Sequence, residues 1–248
     1  MGNPRALPPF RVSGVASPAP PAGIRILSGN AQRGGVGSAL PAAIVLQTVD
    51  SFGNPVGDVP IRLAPSAGSV GDSLVRTGAN GQATVRWTLG TVAGPARLEA
   101  LLNGSSIGAE ATATARPGAV ATVVFVSPPT AGTAGQPFRK PIQVLVADRY
   151  GNGVPLAAVS FSPAAGKVSP LRATADEHGA AVTRWTLGPA AGKQILTALV
   201  PASKVRAVLT ISAGPAKSAK PALAPKPSKP KTAPQPTQPL SPLGTPTR

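Results

Sequence analysis

Apolar and polar residues alternate along much of this chain, and residues 82–89 show the pattern most clearly. Four apolar side chains alternate there with polar ones: Ala83, Val85, Trp87 and Leu89. Successive side chains of a β-strand point to opposite faces of the sheet, so this alternation predicts a strand with one buried face. The same reasoning predicts strands at 23–28, 43–50, 58–64, 72–77, 95–102 and 107–114.

The pattern of these strands returns 98 positions later in the chain. Residues 80–90 read NGQATVRWTLG and residues 178–188 read HGAAVTRWTLG, so that Trp87 corresponds to Trp185. The same spacing brings residues 50–54 onto residues 148–152 without a gap. A register held over the length of a domain indicates two copies of one fold. A second set of strands is therefore predicted by adding this spacing to the first.

Short strands separated by turns at about ten-residue spacing are typical of a β-sandwich. The sequence thus predicts an all-β chain of two tandem sandwich domains between Pro-rich termini, which we expect to be disordered. The predicted boundaries are 1–21 for the N-terminal segment, 22–116 and 117–214 for the two domains, and 215–248 for a Pro/Lys/Ala-rich basic tail. The linker, residues 115–118, has few free residues, so we expect semi-rigid alignment of the domains.

Trp87 and Trp185 are predicted to anchor the cores of the two domains. Each lies in mid-strand with an apolar neighbour two residues away. Burial of a large aromatic side chain contributes about 3 kcal/mol or more, so truncation should threaten the domain. The functional alternative is a surface tryptophan that stacks on a sugar.

Residues 50–55 and 148–153 have the composition of turns. Asp caps neighbouring amides, and the Gly-Asn pair supplies the left-handed conformations that a chain reversal needs. Calcium binding is the alternative, because a carboxylate stands there beside Asn and backbone carbonyls. Calcium takes six to eight oxygens, usually from several carboxylates, and each turn offers a single acid. The pattern therefore favours a structural turn.

The chain is strongly basic, with 24 Lys and Arg against 8 Asp and Glu and a net charge of +16. Six of the cations lie in residues 215–248, and the others are scattered. Without a basic cluster interleaved with aromatic residues, no nucleic-acid-binding face is predicted in the domains. Any contact with an anionic polymer should depend on the tail and fade as salt rises.

Residues suited to catalysis are scarce in this sequence. His178 is the single histidine, and the first copy has Asn80 at the equivalent position. Asp176 and Glu177 precede it, and such adjacent residues in a turn usually form a solvated loop. Cysteine is absent, so disulfides and thiolate metal sites are excluded. We therefore predict a non-enzymatic protein without catalytic, cofactor-binding or metal-ligating residues and without a cofactor.

The N-terminal residues lack the apolar run of a signal peptide, and no stretch is long enough to span a membrane. Residues 11–18 are similar to residues 111–118, which form the predicted last strand and linker of the first domain. We therefore expect the chain to begin inside a preceding domain, which would explain the missing export signal.

The motifs resemble those of the bacterial immunoglobulin-like group one domain found in intimin- and invasin-type surface proteins. The similarity lies in residues 49–56, in the WTLG sequences that begin at Trp87 and Trp185, and in the alternating strands between them. The second copy departs from the pattern at Gly153 and at residues 175–178. The resemblance covers about residues 22–214 and implies two tandem Ig-like β-sandwich domains.

The resemblance implies a stalk or spacer of a bacterial cell-surface or exported protein. The expected partners are other domains of a longer surface protein, or a receptor or glycan on a host or neighbouring cell. The alternative is a glycan- or protein-binding module that uses exposed loops such as 66–72 and 164–170. Polyanion binding by the basic tail is a third reading. The expected location is extracellular or at the cell surface.

Overall fold

The computed structural model describes residues 17–216, and its regular elements are all β-strands. The described residues belong to one compact unit. Most of the predicted N-terminal segment, up to residue 16, and the predicted tail from residue 217 onward lie outside them. Within the described part of the chain, no helix is long and apolar enough to cross a membrane.

The first ten strands form module 1. They are β1 Gly23–Ser28, β2 Gln32–Gly35, β3 Ile44–Val49, β4 Pro60–Pro65, β5 Ser69–Val70, β6 Leu74–Arg76, β7 Gln82–Val85, β8 Trp87–Thr88, β9 Gly94–Leu102 and β10 Gly108–Arg116. One sheet has the order β1-β3-β7, and the facing sheet has the order β2-β10-β9-β4-β6. Strands β5 and β8 form a separate pair.

The last nine strands form module 2 with nearly the same arrangement. They are β11 Thr122–Val126, β12 Ala131–Thr133, β13 Ile142–Ala147, β14 Ala158–Pro163, β15 Lys167–Ser169, β16 Arg172–Thr174, β17 Ala180–Thr186, β18 Gly192–Val200 and β19 Val205–Gly214. The two sheets have the orders β11-β13-β17-β15 and β12-β19-β18-β14-β16. The predicted all-β fold of two Ig-like sandwiches is confirmed, while the exact domain boundaries stay a prediction.

Each module encloses its own hydrophobic core between its two sheets. Trp87 is 1% exposed and Trp185 is 0% exposed. Each indole N–H also donates to a backbone oxygen, at 3.1 Å to Ala67 O and at 3.4 Å to Ala165 O. The two buried clusters share no residue. The prediction that both tryptophans are core anchors is confirmed, and the sugar-stacking alternative is wrong.

The strand predictions miss several short elements. Strands β2 and β12 lie in stretches predicted as connections, and each pairs parallel to the last strand of its module. Strand β5 falls in the loop predicted at 66–72, and strand β15 falls in the loop predicted at 164–170. Strands of two to four residues are too short to show a hydrophobic periodicity. They form because neighbouring strands in the sheet offer them backbone hydrogen bonds.

Candidate functional site

The turn at residues 148–152, directly after β13, is held by the carboxylate of Asp148. Its Oδ1 accepts hydrogen bonds from the amides of Tyr150 and Asn152, at 2.8 and 2.9 Å. The backbone closes the same turn, because the amide of Gly151 donates to the oxygen of Asp148 at 3.1 Å. An Asp that bonds amides further along the chain is a common device for stabilising turns. The predicted structural turn is confirmed.

The second oxygen of Asp148 binds the linker between the modules. Oδ2 accepts a hydrogen bond from the amide of Gly118 at 2.8 Å. The chain is also held on both sides of Gly118. The amide of Val36 donates to Arg116 O and the amide of Ala121 donates to Ala147 O, both at 2.9 Å. These hydrogen bonds hold the chain on both sides of the linker, while the semi-rigid alignment expected from the sequence stays a prediction.

Asn152 extends the turn onto module 1. Its Oδ1 accepts a hydrogen bond from the amide of Ala93 at 2.8 Å. Its Nδ2 donates to the carbonyl oxygen of Thr91 at 2.8 Å and to Asp148 Oδ2 at 3.0 Å. One carboxamide thus connects the two modules while it is itself oriented by the buried carboxylate. The set formed by Gly37, Thr91, Ala93, Gly118, Asp148, Tyr150 and Asn152 is called the intermodule joint below.

Tyr150 supplies the remaining contact of the intermodule joint. A Cβ atom added to Gly37 would lie 2.7 Å from the hydroxyl oxygen of Tyr150, and Gly37 has φ 66°. The phenol therefore packs against the bare backbone of module 1. Arg149 lies over the ring of Tyr150, with its Cζ 4.6 Å from the ring centroid, and donates to the hydroxyl. A Cβ at position 37 would obstruct this approach.

The intermodule joint contains a charged carboxylate. Burial opposes the ionisation of Asp148, but hydrogen bonds from the Asn152 side chain and from the amides of Gly118, Asn152 and Tyr150 outweigh it. The pKa of Asp148 therefore lies below its ordinary value. The carboxylate stays ionised at neutral pH and acts as an acceptor for donors from the turn and the linker.

Module 1 carries the same turn at its own N-terminal end. Asp50 accepts from the amides of Phe52 and Asn54 at 2.9 and 2.8 Å, and from the Asn54 side chain at 3.0 Å. Its Oδ2 accepts from the amide of Ala19 at 3.1 Å, as Asp148 accepts from Gly118. Phe52, which corresponds to Tyr150, is 82% exposed. The same motif therefore holds the incoming chain of both modules.

The calcium alternative for these turns is not supported by their geometry. The oxygens of Asp50 and Asp148 already face N–H donors, which would repel a cation. Among the described residues, no group of three or more His, Asp or Glu side chains could hold a metal ion. Calcium requires several such oxygens. The arrangement is that of a structural turn.

His178 lies in the solvated turn before β17. The carboxylate of Asp176 accepts hydrogen bonds from the amides of His178 and Ala180, at 2.9 and 2.8 Å. The imidazole Nε2 is 3.5 Å from Glu177, and these two side chains are 82% and 87% exposed. Exposed groups of this kind are screened by water and gain little from pairing. The turn lacks the buried, oriented pair that acid–base chemistry requires.

The loops predicted as ligand-binding sites are partly sheet. Strand β5 pairs with β8 through Ser69 and Val70, and β15 pairs with β17 through Lys167, Val168 and Ser169. The carbonyl groups of Ala67 and Ala165 in the same segments receive the tryptophan indoles. These segments therefore close the cores as well as facing solvent, so their main chain is less free to adapt to a ligand than a loop.

Comparison with known structures identifies the fold. The chain is similar to the structure of FdeC, an adhesin of Escherichia coli, with 22% identity over 80% of this chain and 67% of that chain and a TM-score of 0.54. It is also similar to the structure of InvD from Yersinia pseudotuberculosis, with 20% identity over 78% of this chain and 58% of that chain and a TM-score of 0.55.

These likenesses show a fold of tandem Ig-like sandwiches, and the resemblance drawn from the sequence is confirmed at the level of the fold. The chain spans 58% of the length of the InvD structure. No protein-family model matches the sequence. No curated protein matches it at a significant level.

Sequence reasoning identified the Asp turns but missed the role of Asn152 and Gly37 in the intermodule joint. A signal for Asn152 was present, because the 98-residue spacing pairs it with Asn54. The position of Gly37 against Tyr150 could not be read from the sequence, since these residues are 113 positions apart along the chain. Both residues act through contacts that form only when the modules meet.

Proposed function

We propose that this chain is a non-enzymatic structural and adhesion module, a stalk or spacer of a bacterial cell-surface or exported protein. The observation that carries the proposal is the intermodule joint. A stalk must hold successive domains in a defined relation, and the carboxamide of Asn152 bonds module 1 at both Thr91 and Ala93. The fold likeness to bacterial adhesins supports the same function.

The partners that fit this function are further domains of a longer surface protein and a receptor or glycan on another cell. The FdeC structure belongs to an adhesin, which supports a surface location for a chain of the same fold. The lack of a buried, oriented acid–base pair around His178 supports the non-enzymatic assignment. The absence of cysteine leaves the modules independent of redox conditions.

The test measures whether the intermodule joint fixes the relation of the modules. Arg86 and Arg184 are exposed and each directly precedes the core tryptophan of its module, so each can be replaced by cysteine and spin-labelled without competing thiols. We expect one narrow distance distribution for the labelled full chain. Asn152→Ala should broaden it, because two hydrogen bonds between the modules are lost.

Asn54→Ala is the matched control, since Asn54 holds the same position in module 1 and bonds only its own turn among the described residues. It should leave the distance distribution narrow. A broad distribution in the unmutated chain would contradict a stalk. Surface exposure is tested separately: antibodies raised against residues 22–214 should label intact bacteria that express the protein, and labelling only after lysis would contradict the location.

A further inference from the structure

The two modules differ in the gap between the end of their first strand and the segment before their third strand. In module 1 the carboxamide of Gln32 closes this gap. Its Nε2 donates to Gly29 O at 2.7 Å and to Ala42 O at 2.9 Å, and its Oε1 accepts from the amide of Ala42 at 2.8 Å. One side chain therefore forms hydrogen bonds with the backbone on both edges of the gap.

Gly29 brings these two edges close together. A Cβ atom at this position would collide with the carbonyl oxygen of Ala43. Only glycine allows this approach, and Gly29 also has φ 81°, which favours glycine. In module 1 the gap is narrow because of Gly29 and filled because of Gln32.

Module 2 has neither the glycine nor the glutamine. The positions 98 residues later are Ser127 in place of Gly29 and Thr130 in place of Gln32. Ser127 also has a positive φ, 45°, so the backbones correspond, yet it carries the Cβ that module 1 excludes. The threonine side chain has two carbons fewer before its polar atom than the glutamine that spans the gap in module 1, so it is too short to cross it. Between the edges lies an open groove of about 660 Å³, called the edge groove below.

The walls of the edge groove combine an apolar and a basic surface. Phe138 is half-buried and presents part of its ring, while its other side contacts Trp185 with ring centroids 5.9 Å apart. Arg139 and Lys140 line the groove and are exposed. The corresponding residues of module 1 are Leu40, Pro41 and Ala42, so the two cations are specific to module 2. None of the residues lining the groove is an acid.

The backbone along the edge groove offers a donor and an acceptor that suit an amide group of a ligand. In module 1 the amide and carbonyl groups of Ala42 bind the Gln32 carboxamide, and Lys140 holds the equivalent position in module 2. In the range 17–216, no side chain of module 2 takes the place of that carboxamide. The amide donates and the carbonyl accepts, so these exposed groups suit a ligand that offers both a carbonyl and an N–H.

We propose that the edge groove of module 2 binds an acidic glycan that carries an acetamido group. The acetamido group takes the place that the Gln32 carboxamide fills in module 1. The carboxylate of the sugar pairs with Arg139 and Lys140, and the apolar face of the ring lies on Phe138. A binding function of this kind goes beyond that of a stalk and does not depend on the intermodule joint.

A sugar fits this arrangement better than a peptide. Arg139 and Lys140 directly neighbour the amide-binding edge in sequence, so the amide and the acid of the ligand must lie within a few atoms of each other. A pyranose carries both groups on one rigid ring. A peptide needs two side chains, and immobilising each costs about 0.5–1.5 kcal/mol.

The test titrates the ¹⁵N-labelled full chain with N-acetylneuraminic acid, which carries both groups, and follows amide chemical shifts. Saturable shifts are expected at Ser127, Phe138 and Lys140. Two probes separate the contributions: N-acetylglucosamine lacks the carboxylate, and glucuronic acid lacks the acetamido group. Each should bind at least about fivefold more weakly, the loss that one or two exposed ionic or hydrogen-bonded contacts produce.

Two variants assign the binding to the edge groove. Ser127→Gly with Thr130→Gln transfers the closing device of module 1 into module 2 and should abolish binding of N-acetylneuraminic acid. Arg139→Gln with Lys140→Gln changes only exposed side chains, so the fold should persist. This second variant should bind N-acetylneuraminic acid about fivefold more weakly and N-acetylglucosamine unchanged.

Three outcomes would overturn the proposal. One is the absence of saturable shifts with N-acetylneuraminic acid in the unmutated chain. Another is equal binding by the variant with the closed groove, given that its spectrum shows a folded module 2. The third is tighter binding of a short peptide containing Gln and Glu than of the sugar acid, which would assign the groove to a protein partner. None of these outcomes affects the distance measurements on the intermodule joint.

Discussion

The Asp turns of the two modules have the same internal hydrogen bonds but different surroundings. Asp50 and Asp148 each accept from two amides of their own turn and from one amide of the preceding segment. Tyr150 and Asn152 then contact module 1, whereas Phe52 is 82% exposed. Equal local structure therefore does not imply equal function, because the neighbouring module decides which turn becomes a joint.

The modules also differ at the other end of the strand pair β1–β3 and of its counterpart β11–β13. Gly29 and Gln32 close the gap in module 1, and Ser127 and Thr130 leave it open in module 2. Both differences lie outside the cores, which keep the same tryptophan and nearly the same strand order. Repetition thus preserves the packing that each module needs for its own stability, and the exposed segments are free to differ.

The largest expected effect is on the cores. Trp87→Ala should cost about 3–5 kcal/mol, a large part of the stability of a small domain, and so unfold module 1. Module 2 should keep its own thermal transition, because the clusters share no residue. Trp185→Ala should do the reverse and cost slightly more, since it also loses the contact with Phe138. Calorimetry with two resolved transitions measures both.

A single transition that moves as a whole in either variant would mean that the two modules unfold as one unit. An unchanged pair of transitions would contradict the core assignment of the tryptophans. Arg86→Ala is a suitable control, because this exposed residue lies on the opposite face of the same strand region. It should leave both transitions within about 0.5 kcal/mol of their original stability.

A smaller effect is expected from replacing Gly37 in the intermodule joint than from the core variants, and Gly135 is the equivalent position in module 2 for comparison. Gly37 and Gly135 have φ values of 66° and 72°, so replacement by alanine costs each about 1 kcal/mol of backbone strain. A Cβ at Gly37 also meets the Tyr150 hydroxyl at 2.7 Å, whereas a Cβ at Gly135 meets nothing within 4 Å. Gly37→Ala should therefore also broaden the distance distribution between labels at 86 and 184.

Gly135→Ala should leave that distribution narrow although it destabilises its own module by a similar amount. Adding Tyr150→Phe to Gly37→Ala should restore part of the narrow distribution, because it removes the obstructed hydroxyl. If both glycine variants broaden the distribution equally, strain in the loop and not the contact with Tyr150 controls the joint.

The smallest expected effect is a dependence of the joint on pH. The pKa of Asp148 is lowered in the folded protein, so its ionised form contributes stability above the unfolded pKa of about 3.9. This contribution is lost as the pH falls from that value through the lower folded pKa. The distance distribution should therefore stay narrow from pH 7 to pH 5 and broaden towards pH 2.

Asp148→Asn should remove most of this pH dependence, because the amide cannot ionise and offers one acceptor oxygen in place of two. Asp50→Asn is the control, since the pKa of Asp50 is lowered in the same way but its turn does not contact module 2 among the described residues. If the distance distribution of the Asp148→Asn variant broadens at low pH as much as that of the unmutated chain, another titratable group causes the effect.

The sequence alone determined the number of modules, the sandwich fold and the buried faces. Ala83, Val85 and Trp87 recur in register with Ala181, Thr183 and Trp185, and alternation with period two is a local property of a strand. The turn chemistry of Asp50 and Asp148 was equally visible, because an Asx turn involves only neighbours in the chain. Short strands such as β2 and β15 were not predicted, because only their pairing with neighbouring strands defines them.

Only the tertiary structure decided what the residues outside the cores do. Asn152 and Asn54 are the same residue in the same turn, yet one bonds Thr91 and Ala93 of the other module. The gap beside Ser127 and Lys140 opens because two substitutions act across two segments that meet in space and not in sequence. Contacts of this kind depend on distances between segments far apart along the chain, and hydrophobic periodicity carries no information about those distances.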